Sequence, residues 1–306
     1  MSLKKVPTLD LTRFDTDRDN FVREVGEAYE VFGFCCFKNH GIPQELIKDA
    51  YEQFKNFFAL PEETKKKYFL EGKGGARGYT PFKIETAKDQ KLADLKEFWH
   101  IGPKQGGSLP NIWPSEVPQF EEKGGQLYDM MGATADKILT AMALHIGLPE
   151  NYFDDKIDHG DTILRALHYP PVRPEDLPAV RAGAHEDIDL ITLLVGATDS
   201  GLELLTKEGT WLPIEAQENT LIVNVGDMLQ RLTNHQYRST THRVVNPQGS
   251  HTGKPRYSMP YFVHPNAEFV IDALPQCVTE NNPKRYPPIT AQEYLDQRLK
   301  EIKLSK

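Results

Sequence analysis

Cysteine is scarce in this chain: three among 306 residues, at Cys35, Cys36 and Cys277. An odd, sparse count does not make a disulfide framework, and a reducing compartment is the default expectation. Cys35 and Cys36 lie in the apolar run Phe34-Cys35-Cys36-Phe37, where thiols behave as small buried hydrophobes. Long apolar runs are missing as well. None approaches the roughly 20 residues of a membrane span. The start, Met1-Ser2-Leu3-Lys4-Lys5, lacks the apolar core of a signal peptide. These absences lead to the expectation of a cytoplasmic protein with no membrane partner. Basic residues are outnumbered, 36 against 44 acidic, for a net charge of −8. That balance excludes nucleic acid as the main partner, because phosphate binding needs a basic face. The one local cluster, Lys65-Lys66-Lys67, reads as a solvated helix end. Nothing in the sequence specifies an oligomeric state.

What is present is an ordinary globular composition, 39% hydrophobic and 26% charged, long enough to bury a substantial core. The first half reads mostly as helix. Phe21, Val22, Val25, Ala28, Tyr29 and Phe32 recur at helical spacing, and Gly33 is placed to end that helix. A strand over Phe34 to Phe37 leads into the turn Asn39-His40-Gly41. A second helix begins near Pro43, carries a stripe from Leu46 to Phe58, and stops at Pro61. Gly72, Gly74, Gly75 and Gly78 make a loop ending in Tyr79-Thr80-Pro81-Phe82, either a lid or a surface excursion. A long helix is expected from about Gln119 to Ile146. After Asp161 the texture becomes β, with short runs around 162–169, 188–195, 201–205, 220–225, 237–245 and 256–263. Strands at this spacing suggest a sandwich or barrel. Ala291 to Ile302 reads as a closing amphipathic helix. The fold class is therefore α+β with a β-dominated core.

One pattern carries chemistry. His185 and Asp187 stand two apart at the entry to the run Leu190-Ile191-Thr192-Leu193-Leu194-Val195. On an extended backbone they project from one face. With His242 from a distant strand-like segment they would occupy one face of an octahedron, the two-His, one-carboxylate arrangement of non-haem Fe(II) oxygenases. On spacing alone a hydrogen-bonded surface pair is an equal alternative. Arg256 and Ser258 are again two apart, and a guanidinium fork beside a hydroxyl is a receptor for a carboxylate. An ordinary surface arginine beside a serine is the alternative there. Tyr79, Phe82, Leu229, Arg231 and Phe262 are expected to line a substrate pocket. Leu229 and Arg231 are assigned to one strand face, with Arg231 available to an anionic substrate.

With these residues in place, the chain resembles the isopenicillin N synthase-like family of Fe(II)/2-oxoglutarate-dependent oxygenases. The shared blocks run nearly end to end: Gly33-Phe34-Cys35-Cys36-Phe37 with Asn39-His40-Gly41-Ile42-Pro43; Arg77-Gly78-Tyr79; Asp94-Leu95-Lys96-Glu97-Phe98; His185-Glu186-Asp187; Val223-Asn224-Val225-Gly226-Asp227; and Thr233-Asn234, Ser239, His242-Arg243-Val244 and Arg256-x-Ser258. The resemblance implies a double-stranded β-helix, or jelly roll, with flanking helices. It divides the chain into a mainly helical region at 1–160, the jelly-roll core at 161–275 and a C-terminal helical segment at 276–306. It implies that His185, Asp187 and His242 bind Fe(II), and that Arg256, Ser258 and Tyr169 bind the 2-oxoglutarate cosubstrate used with O2. Oxidation of a small-molecule substrate, by default hydroxylation with release of succinate and CO2, would follow. Two positions depart from the family. Leu167 stands where many members have Asn, which would leave a polar cosubstrate contact unmade; Glu186 replaces a common Thr but should point away from the metal. The Leu167 change keeps open an iron oxidase that, like isopenicillin N synthase or the aminocyclopropane-carboxylate oxidases, does not use 2-oxoglutarate. A non-catalytic binding protein on the same scaffold is a separate alternative, against which the intact ligand positions count.

Overall fold

A computed structural model describes residues 5–73, 75–85, 92–105, 107–195, 201–214, 219–246 and 253–301. The chain opens with strand β1 (Thr8–Asp10), the turn-length helix α1 (Arg13–Thr16) and helix α2 (Arg18–Val31). Phe21, Val25, Ala28 and Tyr29 are buried along one stripe of α2. Gly33, at φ +65°, ends it; a Cβ there would meet the Arg238 carbonyl oxygen at 2.1 Å, so only glycine fits. Strand β2 (Phe34–Lys38) follows, then helices α3 (Gln44–Phe58) and α4 (Glu62–Lys66), strands β3 (Gly78–Thr80) and β4 (Glu97–Ile101), and the long helix α5 (Phe120–His145). Phe54 and Phe57 of α3 are 1% exposed or less. Burial of each such side chain contributes roughly 1.5–3 kcal/mol relative to an exposed one.

After the short α6 (Asp154–Ile157) come β5 (Ile163–Tyr169), β6 (Ala182–His185), β7 (Ile191–Val195), β8 (Leu202–Leu205), β9 (Trp211–Pro213) and β10 (Leu221–Val225). Helix α7 (Asp227–Leu232), β11 (His242–Val244), β12 (Arg256–Val263), β13 (Val270–Ile271), β14 (Ile289–Thr290) and α8 (Ala291–Glu301) complete it. One sheet runs β1-β2-β10-β7-β12-β5-β4-β3, and a smaller one runs β6-β11-β8-β9. Facing each other, these sheets form a jelly roll. A boundary at 160/161 falls between α6 and β5, yet the large sheet takes β1 to β4 from the N-terminal side of it.

The larger core lies between the outer face of the large sheet and helices α2, α3 and α5, and includes Trp99, Leu164, Leu193, Val223, Met259 and Tyr261. A second core fills the space between the sheets, with Phe34, Phe98, Leu167, Tyr169, Leu204, Ile222 and Val244. Side chains alternate across a strand. Because Met259, Tyr261 and Val263 of β12 face the helices, Arg256, Ser258 and Phe262 face the interior.

Three expectations need correction. Residues 227–232 form helix α7, not a strand, so Leu229 and Arg231 do not share a strand face; six residues are too few to separate the two periods. Within 237–245 only His242–Val244 is strand, since Asn234 (φ 48°) and His235 (φ 69°) turn the chain just before it. Lys65 is not solvated. It is 8% exposed and paired with Glu97 at 2.7 Å, while Lys66 does meet solvent beside Glu62. Among the described residues no helix is long and apolar enough to cross a membrane.

Candidate active site

His185 ends β6 and His242 begins β11, and the antiparallel register sets them opposite one another. Cross-strand neighbours lie close enough for their side chains to converge, and the two imidazole centroids are 4.4 Å apart. Each ring is oriented from behind. His185 Nδ1 lies 2.7 Å from the Gly183 carbonyl oxygen and His242 Nδ1 3.1 Å from that of Thr240. With Nδ1–H donating to a carbonyl, each Nε2 keeps its lone pair.

Asp187 follows β6 in the turn toward β7. Its Oδ2 accepts hydrogen bonds from Thr192 Oγ1 at 2.6 Å and Asn224 Nδ2 at 2.7 Å. Its Oδ1 lies 3.7 Å from both imidazole Nε2 atoms. Ligand atoms of the three residues all fall within 4.8 Å of one another. Burial tends to raise the Asp187 carboxyl, but the two imidazoles, Thr192 and Asn224 outweigh it and hold the group below its usual range. Burial, then the neighbouring His242, pushes the His185 imidazole down to about 4. Two imidazoles and one carboxylate, each with an orienting partner, fit a mononuclear Fe(II) centre with open positions.

Arg256 and Ser258 are buried on β12, and Arg256 Nη1 donates to Ser258 Oγ at 3.3 Å. Tyr169 is the register partner of Arg256 on β5, and its ring centroid lies 5.1 Å from the guanidinium carbon. Leu167 pairs with Ser258 and adds an apolar wall. Glu186 turns away from the triad, accepting a hydrogen bond from Thr241 Oγ1 at 3.2 Å.

The five residues expected to line the substrate pocket separate. Phe262 faces the interior. Tyr79 faces the helices instead: its hydroxyl donates to Glu97 and its ring packs on Phe57 at 5.7 Å. Phe82 lies in the segment after β3, with Lys83 Nζ 5.3 Å from its ring. Leu229 is fully buried in the helical-side core. Arg231 donates to the Pro287 carbonyl oxygen at 2.6 Å and lies over Tyr286 at 4.6 Å. Thr192 and Asn224 were not among the residues expected from the sequence. Their signal was polarity inside otherwise apolar strands, Ile191–Val195 and Leu221–Val225.

Two family models match the chain: the N-terminal region of the non-haem dioxygenases described for morphine synthesis over residues 6–116, and the 2OG-Fe(II) oxygenase superfamily over residues 160–265. The 2-oxoglutarate-Fe(II) type oxidoreductase hxnY of Emericella nidulans is 33% identical, covering 94% of this chain and 87% of that protein. Flavonol synthase 1 of Crocosmia x crocosmiiflora is 32% identical, covering 95% of this chain and 85% of its own. Among solved structures, a 2OG-Fe(II) oxygenase family protein of Caulobacter crescentus is 43% identical at TM-score 0.89, covering 98% of this chain and 100% of that one. A full-length Neurospora crassa protein, solved with alpha-KG and thymine, is 31% identical at TM-score 0.87, covering 96% of both chains. The chain belongs to the 2OG-Fe(II) oxygenase superfamily. It is an Fe(II)- and 2-oxoglutarate-dependent dioxygenase acting on small molecules.

Proposed function

We propose that this dioxygenase hydroxylates a small polar organic molecule inside the jelly roll. The observation that carries the site assignment is the convergence of His185 Nε2, His242 Nε2 and Asp187 Oδ1, each freed for a metal by a partner on its other atom. His185, Asp187 and His242 would hold Fe(II), which with O2 and 2-oxoglutarate supplies the oxidising chemistry and releases succinate and CO2. Arg256 and Ser258 offer a charge-assisted receptor for the far carboxylate of 2-oxoglutarate. Tyr169 covers the guanidinium and excludes water from it. Thr192 and Asn224 keep the second Asp187 oxygen occupied, so the carboxylate presents one oxygen in a fixed direction. Phe262 supplies an apolar wall for the substrate. The thymine complex of the Neurospora crassa protein supports a compact polar substrate for this relative of similar fold. Three free, buried thiols support a reducing, cytoplasmic setting.

The test is a succinate-release screen of the Fe(II)-loaded chain against amino acids, keto acids and small aromatic compounds, with mass analysis of the product. Hydroxylation predicts one succinate per product and a product heavier by one oxygen atom. A product that has lost two hydrogens or closed a ring overturns hydroxylation.

A further inference from the structure

The strand register assembles a second polar group inside the barrel that neither the metal nor the cosubstrate uses. Arg165 shares the inward face of β5 with Leu167 and Tyr169, and its register partner on β4 is His100. The guanidinium lies between two rings, 4.5 Å from the Phe98 centroid and 5.0 Å from that of Phe262. Nε donates to His100 Nε2 at 2.5 Å, and Nη1 donates to Glu85 at 3.3 Å. Among the described residues Nη2 has no hydrogen-bond partner. Glu85 also accepts from Lys96 Nζ at 2.5 Å, and Lys96 pairs with Asp94 at 2.9 Å. Phe262 is the register partner of Thr192, which donates to Asp187. The cluster therefore borders the metal-holding carboxylate.

Its charges cancel. Two cations, Arg165 and Lys96, face two carboxylates, Glu85 and Asp94, while burial and then Arg165 keep the His100 imidazole neutral. Elsewhere in the cavity Asp187 balances Arg256, and Fe(II) balances the 2-oxoglutarate dianion. A carboxylate substrate would bring an uncompensated charge into a desolvated space, and would have to compete with Glu85 for Arg165. A neutral carbonyl would instead accept the remaining Arg165 donor without adding charge, and a planar group would lie against Phe98 and Phe262.

Resting on the active-site reading above, we infer that the substrate is a neutral, planar, carbonyl-bearing molecule, with Arg165 binding its oxygen and Glu85 setting specificity against carboxylates. Arg165 thus takes the recognition role that Arg231 was expected to fill, with the opposite charge preference.

The experiment is calorimetric binding of two matched pairs, uracil with orotate and benzamide with benzoate, to the anaerobic Fe(II)- and 2-oxoglutarate-loaded chain. The neutral member of each pair should bind at least about tenfold tighter than the acid. Glu85→Gln, which leaves a net positive charge beside the rings, should reverse that order. Glu85→Gln/Arg165→Gln, neutral again, should restore it with weaker binding of both members. Acid preference in the unsubstituted chain, an unchanged order in Glu85→Gln, or no binding of either neutral compound overturns the inference. The visible band of the Fe(II)–2-oxoglutarate complex is a separate readout. Its absence from the unsubstituted chain defeats the active-site reading and this inference with it. Its presence with the wrong order defeats this inference alone.

Discussion

Asp187 divides its work between two oxygens, Oδ2 taken by Thr192 and Asn224 and Oδ1 aimed at the imidazoles. Removing an orienting partner leaves the ligand in place but free to rotate, and such changes typically cost about 10–100-fold in metal affinity. Thr192→Val is close to isosteric and should therefore weaken Fe(II) binding by about that factor, with a stability cost of about 1–3 kcal/mol from the contact it also removes from the buried Asp189 Oδ2. Competitive metal titration checks the affinity and circular dichroism the fold; unchanged affinity would mean that Asn224 alone suffices. At this scale the triad was legible only in company. On spacing, His-x-Asp with a later His was an even match for a surface pair; Arg256-x-Ser258 with the resemblance tipped the reading toward a metal site, whose three ligand atoms the fold brings together. The orienting residues were not legible. A Thr or Asn within an apolar strand has many possible partners, and only the register shows that these two reach Asp187. Glu85 was hidden for the same reason: its partners Lys96 and Arg165 meet it only after β4 and β5 pair.

Two short elements brace the turn that carries Asp187 from behind. The Asp227 backbone N–H at the start of α7 donates to the Asp187 carbonyl oxygen at 2.9 Å. The Asp227 side chain is paired with Arg298 of α8 at 3.0 Å. Burial pushes the Asp227 carboxyl up to about 8, even though Arg298 opposes the rise. A folded-state pKa above the ordinary 3.8 gives stability that is fully present below the unfolded value and is lost as pH rises through the folded one. Arg298→Met removes the group that limits the rise, so the loss continues to higher pH. The variant should be destabilised by about 1 kcal/mol near pH 6, where Asp227 keeps its proton, and by about 2 kcal/mol near pH 9. Denaturant melts at the two pH values check this, and an equal cost at both would contradict it. Helices α2, α3 and α5 were legible because their apolar stripes run for several turns. Helix α7 was not, being too short to display a period, and β4 was not, because Glu97–Ile101 is buried on both faces and shows no alternation.

The whole molecule is a jelly roll closed by strands from distant parts of the chain: β2 pairs with β10, and β4 pairs with β5. The two family matches fall on either side of residues 117–159, yet the large sheet runs through both. The β texture after Asp161 signalled a sandwich or barrel, and the resemblance supplied the jelly roll. That β1 to β4 complete the large sheet was not legible, since pairing over such separations leaves no local pattern. This closure brings Arg256 of β12, Tyr169 of β5 and the triad, from β6, the turn after it and β11, around one interior. The most direct test of that shared site is anaerobic titration of 2-oxoglutarate into the Fe(II)-loaded chain, followed by the visible charge-transfer band. A saturable band is expected in the unsubstituted chain and no band in Asp187→Ala. Arg256→Met should require at least about tenfold more 2-oxoglutarate to develop the band, since a charge-assisted contact is lost. No band in the unsubstituted chain, or a titration that Arg256→Met leaves unchanged, would contradict the shared site.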